Sequence, residues 1–200
     1  MTSVTVVVEG DTDFPIARAV LGLAGLEVGQ EIDCCGKGTL DRRLGGYNAA
    51  ARGSPWVVLR DLDRDAPCPG ELVARLLPSP ARWMRLRIAV HAGEAWLMAD
   101  SERLASFLRI SVALLPTSPD TIPDPKFQLV NLARRSTKPA IVADMVPKPG
   151  LGRKIGPAYE ARLIEFALKH WRPHVARELS PSLDRTIRAL ERFAKELDRA

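Results

Sequence analysis

The chain has 200 residues, 46% hydrophobic and 26% charged, which suits one globular domain, or one domain with a helical extension. No apolar run approaches the length that spans a bilayer. Met1-Thr2-Ser3 leads into a strand-like run without the basic and apolar segments of a signal peptide, so a cytoplasmic protein with no membrane partner is expected. The formal net charge of +5 is compatible with a polyanionic partner, although solvated arginines spread over helix faces produce the same balance.

Val4 to Val8 is a β-branched run without polar alternation, the pattern of a central strand buried on both faces. Glu9-Gly10 ends it. Asp11 or Thr12 can cap a helix from Phe14 to Leu23, with Pro15 in its first turn and a stop near Gly25. A second strand is expected over Glu31 to Cys35. It runs into Gly36-Lys37-Gly38 and a helix from about Thr39 to Arg52. Pro55 precedes another short apolar strand, Trp56 to Leu59, which ends in Arg60-Asp61-Leu62-Asp63-Arg64-Asp65. Pro67 to Pro80 reads as a loop and a short helix, and a fourth strand falls within Met84 to Val90. A helix begins near Gly93-Glu94. Strands alternating with helices predict an α/β fold with a mainly parallel, Rossmann-like sheet flanked by helices.

From Pro116 to Pro125 the composition predicts a surface loop, and a helix from about Lys126 to Arg134 follows. Residues Pro139 to Pro157 are again Pro/Gly-rich. Two closing helices are expected, at about Pro157 to Trp171 and Ser182 to Leu197. Residues 116–200 therefore read as a helical annex packed on a 1–115 α/β core, the two forming one structural unit. The three cysteines, Cys34, Cys35 and Cys68, form no CxxC pair, so reduced thiols are expected and a structural zinc site is not.

The chemistry concentrates at the strand ends. Open α/β sheets bind ligands beyond the carboxyl ends of their strands. Glu9 sits at that end of the first strand, and Asp61 and Asp63 at that end of a later one. If these strands are neighbours, three carboxylates share one crevice, and their repulsion is relieved by a hard cation, Mg2+ or Mn2+. Such an ion supports phosphodiester chemistry by stabilising charge that gathers on oxygen. Lys37, flanked by two glycines, is a natural phosphate contact. Each piece alone has a plain structural reading, as a turn or a cap; only their combination points to a site.

That combination, carried by Glu9, Gly10, Asp61 and Asp63, resembles the TOPRIM fold of topoisomerases, bacterial primases, recombination-repair proteins and overcoming-lysogenization-defect nucleases. The core resemblance covers roughly residues 3 to 100. Val8-Glu9-Gly10-Asp11-Thr12-Asp13, Asp61-Leu62-Asp63 and Glu94-Ala95-Trp96-Leu97-Met98-Ala99-Asp100 resemble a narrower family of small stand-alone bacterial TOPRIM-like proteins of unassigned function. Asp124-Pro125-Lys126, Gly156-Pro157-Ala158-Tyr159 and Ser180-Pro181-Ser182-Leu183 fit it as well. The resemblance implies a metal-dependent nuclease, of the kind used in phage defence or DNA repair, with Glu9, Asp61 and Asp63 on the metal. It also implies Glu94 as a ligand to a second ion, and a partner ATPase or a homo-oligomer as company. Tyr47 and Tyr159 fall in ordinary helical contexts, so strand passage is not expected.

Remaining candidates are weaker. His91 can be a general base or ligand, or simply a bonded strand-end histidine. Asp100 reads as structural. Arg172-Pro173 interrupts any pairing of His170 with His174. Lys126, Lys148, Arg153 and Lys154, in or near Pro/Gly-rich segments, are candidates for a nucleic-acid backbone or are plain surface. Arg185, Arg188 and Arg192, partly balanced by Asp184 and Glu191, read as ordinary surface. The alternative to an enzyme is a non-catalytic module that binds nucleotide or nucleic acid and signals to a partner protein.

Overall fold

Four parallel strands carry the site in this computed structural model, which describes residues 2–150 and 152–200. β1 (Thr2–Val8) and β3 (Trp56–Asp61) lie at the centre; β2 (Leu26–Asp33) and β4 (Met84–Ala89) form the edges, in the order β2-β1-β3-β4. The expected alternation of strand and helix is present, and the fold is α/β with a Rossmann-like sheet. Along β1, Val6 and Val8 enter one apolar cluster and Val7 the other, because successive side chains of a strand point to opposite faces. That double burial is why the run lacks polar alternation.

Helix α1 (Phe14–Leu23) links β1 to β2 and buries Ile16, Ala17, Val20 and Leu21 on one face of the sheet. Helix α2 (Lys37–Ala50) carries the chain from β2 across to β3 and buries Leu40 and Leu44 on the other face, where α3 (Pro69–Leu76) joins it through Leu72. β2 and β3 lie on opposite sides of β1, so the chain order reverses between β1 and β3. That reversal leaves a crevice at the carboxyl ends of these two strands.

β2 begins at Leu26, earlier than the expected Glu31. Its residues are largely solvated, so hydropathy hides the strand; pairing with β1 from Thr2↔Leu26 to Val8↔Asp33 makes it one. α2 starts at Lys37, two residues early. The preceding Gly36 has φ 114°, a region that side chains disfavour, and its amide donates to the Glu9 carbonyl at 2.7 Å.

Beyond β4 the chain is helical: α4 (Gly93–Met98), α5 (Ser101–Leu108), α6 (Pro125–Ala133), α7 (Pro139–Met145), α8 (Tyr159–Lys169), α9 (Pro173–Ala176) and α10 (Pro181–Leu197). α7 lies inside the stretch expected to be irregular. Pro139 occupies its first turn, where a missing N–H costs nothing. A continuous apolar cluster joins Val4, Val6 and Val8 of the sheet to Trp96, Leu129, Phe166 and Phe193 of the helices. Among the described residues, no helix is long and apolar enough to cross a membrane.

Asp100 is completely buried. It accepts from the Arg172 backbone amide at 2.9 Å and from its guanidinium at 2.7 and 3.0 Å, tying α5 to the start of α9. The continuity of the core makes a specific expectation for Phe166, which is also fully buried. Phe166→Ala is expected to cost about 3–5 kcal/mol, with sheet and annex still unfolding in one denaturant transition. Separate transitions by fluorescence and circular dichroism would show the annex to be an independent unit.

Candidate functional site

The site starts with two strand ends tied together. Glu9 leaves β1, and its Oε1 accepts from the backbone amide of Asp61 at 2.9 Å, across the crevice where the chain order reverses. Asp61 ends β3, and its Oδ1 accepts from the Gly93 amide at 3.0 Å, at the start of α4. A Cβ on Gly93 would stand 3.1 Å from Ile16 Cδ1 and 3.7 Å from Asp13 Oδ1, so glycine permits this approach. A 3-10 turn over Asp11–Asp13 folds the chain back. Asp13 Oδ2 there accepts from the Gly10 amide at 3.2 Å.

Four carboxylates therefore gather: Glu9, Asp13, Asp61 and Glu94. Burial holds the Asp61 carboxyl well above the usual carboxylate range, and the charges of Asp13, Glu94, Glu9 and Asp63 add to this in falling order. Asp13 is pushed up to about 7, first by burial and then by Glu94. Burial also raises Glu9, against the Asp61 amide and Arg60. Glu94, 12% exposed, has Lys126 Nζ at 3.7 Å from its Oε1, and the hydroxyl of the buried Tyr159 donates to the same oxygen at 3.5 Å. Its surroundings go beyond those of a helix N-terminal carboxylate.

Asp63 departs from the expected arrangement. Its φ of 48° is left-handed, a conformation aspartate tolerates better than most residues. Its carboxylate meets Lys37 Nζ at 2.6 Å, and Asp65 meets the same ammonium at 3.0 Å. Lys37 thus lines the cleft already paired with two carboxylates, and Asp63 has a cation of the chain's own as its partner. Asp65 holds a second cation as well. It pairs with Arg60 at 2.7 Å, and these cations hold its carboxyl below the ordinary value despite burial. Arg60, only 2% exposed, grips Asp41 through Nε at 3.1 Å and Nη2 at 2.9 Å and donates to the Asp61 carbonyl. An arginine inside an apolar strand was the sequence signal for this buried cation.

An open cleft of about 790 Å3 lies over these groups. Asp61, Asp63, Asp65 and Glu94 line its acidic side, whereas Glu9 and Asp13 act on it through Asp61. Of the cations singled out from the sequence, Lys37, Lys126, Arg153 and Lys154 line it, and Lys148 does not. Arg64, Arg134 and Phe127 also line it and were not singled out from the sequence. Phe127 is 56% exposed beside Lys126, on α6. His91 Nδ1 lies 2.9 Å from the Asp63 carbonyl. A carbonyl only accepts, so Nδ1 carries the proton and leaves Nε2 as the acceptor of the neutral ring. His170 stacks near Phe107 and Phe166, in the helical annex.

Among the described residues, no three His, Cys, Asp or Glu side chains are grouped so as to ligate one ion. The expected triad of Glu9, Asp61 and Asp63 is not a closed ligand set. The donors fit a hard cation in kind, being carboxylate oxygens whose mutual repulsion a positive ion relieves. In comparisons with protein-family models, curated proteins and solved structures, none matches the chain.

The raised carboxyls set a pH dependence. Between the ordinary value of 3.8 and about 7, folded Asp13 holds a proton that the unfolded chain has lost. This group therefore makes stability fall as pH rises through that window. A divalent cation held by these carboxylates would compete with the proton. Thermal stabilisation by millimolar Mg2+ is expected to be larger at about pH 8 than at about pH 5.5. An equal shift at both values would show that the cation binds elsewhere.

Proposed function

We propose that this chain is a TOPRIM-type, divalent-metal-dependent nuclease or related phosphoryl-transfer enzyme acting on nucleic-acid phosphodiester bonds. The observation that carries this reading is the meeting of Glu9 and Asp61 where the chain order reverses, with Asp13 and Glu94 within repulsive reach. An all-parallel sheet with a glutamate after its first strand and Asp61-x-Asp63 after the third supports the TOPRIM resemblance. Asp61 and Glu94, which line the cleft, would hold Mg2+ or Mn2+, with Glu9 and Asp13 adding negative charge behind them; the ion when bound stabilises charge on phosphate oxygens and acidifies water.

The chain's own residues have distinct parts. Lys126, Arg134, Arg153 and Lys154 seat backbone phosphates at the cleft by charge, independently of base sequence. Lys37 positions Asp63 and Asp65. His91, fixed by the Asp63 carbonyl, presents Nε2 as an acceptor for a proton from the attacking water.

The test is incubation with plasmid and with RNA in Mn2+ or Mg2+, beside Glu9→Gln and Asp61→Asn. Metal-dependent cleavage that both variants lose supports the reading. Absence of cleavage, or equal cleavage by the variants, overturns it.

One observation favours a second reading, a non-catalytic module that binds nucleotide or nucleic acid: Lys37 already neutralises Asp63, so the ligand set is not closed. Calorimetric binding of an oligonucleotide without turnover distinguishes it.

A further inference from the structure

The final helix reads as a balanced polar surface in one dimension, but its charges are sorted in three. Asp184 and Glu191 are both taken by Arg177, at 2.7 and 3.2 Å, and Asp184 also holds Arg188 at 2.8 Å. Arg185 and Arg192 are left, among the described residues, without a carboxylate within ion-pair distance. They face β4, an edge strand that contributes two more arginines, Arg85 and Arg87. Arg85 is satisfied: it pairs with Glu196 and lies over the Phe193 ring at 4.1 Å.

Arg87 is not satisfied. Its Nε is buried and has no hydrogen-bond partner, and its Nη2 reaches only the Arg185 carbonyl, at 3.5 Å. Burial, with the like charges of Arg192, Arg185 and Arg85, holds its guanidinium below the ordinary arginine value. A largely buried cation with no counter-charge is costly, and three cations around it add to that cost. Arg87 and Arg185 both line a groove of about 300 Å3 between β4, the start of α3 at Gly70 and the start of α10 at Ser182. The groove shares no lining residue with the acidic cleft.

We propose that this groove is a second anion site, in which Arg87 and Arg185 bind a phosphate group. A phosphate suits two arginines lining one groove because its oxygens accept paired N–H donors and its charge offsets both cations. Arg192, two helical turns beyond Arg185, extends the positive track along α10. The phosphate comes either from a small phosphorylated molecule or from a nucleic-acid backbone. The site stands independently of the nuclease reading.

The test measures thermal shifts of the intact protein in EDTA at matched ionic strength, with inorganic phosphate, pyrophosphate or a short single-stranded oligonucleotide. Saturable stabilisation is expected from at least one of them. The part of the response that Arg185→Ala removes belongs to the groove: its presence with phosphate or pyrophosphate identifies a small-molecule site, and its presence with the oligonucleotide alone identifies the backbone. Arg185→Ala, an exposed change, is expected to weaken the response by about tenfold or more. Arg87→Met is expected to keep or raise the melting temperature without ligand, because it removes an unpaired buried charge, and to abolish the response. The proposal is overturned if none of the three ligands stabilises saturably, or if Arg185→Ala responds like wild type. It is equally overturned if Arg87→Met destabilises the ligand-free protein yet keeps the response.

Discussion

Asp61→Asn is expected to abolish metal-dependent cleavage while making the metal-free protein more stable at about pH 8. The two effects have one cause. Asp61 is buried among Asp13, Glu94 and Glu9, and its ionised form is opposed by all three. Asparagine keeps the shape and the oxygen that accepts from Gly93, and removes the charge. The gain is expected at roughly 0.5–2 kcal/mol, typical of relieving a functional site of its strain. Activity should fall by more than the about 10–100-fold that losing an outer-shell partner of a metal costs. Unfolding of wild type and variant in EDTA, set beside plasmid cleavage in Mn2+, checks both. A variant that is less stable in EDTA would mean that Asp61 is structural, and the repulsion argued for it would not exist.

The second large effect belongs to Arg60. It lies under the site, holding Asp41 through Nε and Nη2, Asp65 through the same Nη2 and the Asp61 carbonyl through Nη1. Arg60→Met fills much of the same volume but leaves these carboxylates without their cation. Breaking a buried pair costs about 3–5 kcal/mol; Asp41 and Asp65 keep some solvent, so about 2–4 kcal/mol is expected here. In a chain of this size that lowers the melting temperature by roughly 5–15 °C. The loss should shrink on acidification, because protonated carboxyls no longer need the cation: Asp65, held below its ordinary value in the fold, contributes stability above that value that disappears as pH falls. A loss independent of pH would mean that Arg60 matters for packing alone.

Much of the architecture was readable along the chain. β1 and β3 announced themselves as apolar runs because both faces of a central parallel strand are buried. Hydropathy alone starts β2 too late, because an edge strand needs only a partner for its backbone, and Leu26 to Gln30 carries little apolar signal. Composition hides α7, because prolines read as breakers, whereas Pro139 starts a helix.

The candidate site divides the same way. That carboxylates stand at strand ends follows from Glu9 and Asp61 terminating runs of buried valine and leucine, and local chemistry was sufficient for that. Which of them meet depended on the turns between elements. The 3-10 turn brings Asp13 into the group, Gly93 lets α4 deliver Glu94, and the left-handed Asp63 swings away to Lys37. On α10, likewise, the identity of each arginine was plain, but which ones kept a carboxylate rested on Arg177 arriving from another segment. Charge acts through space with no regard for position in the chain, so pairing and repulsion could be settled only once the helices had packed.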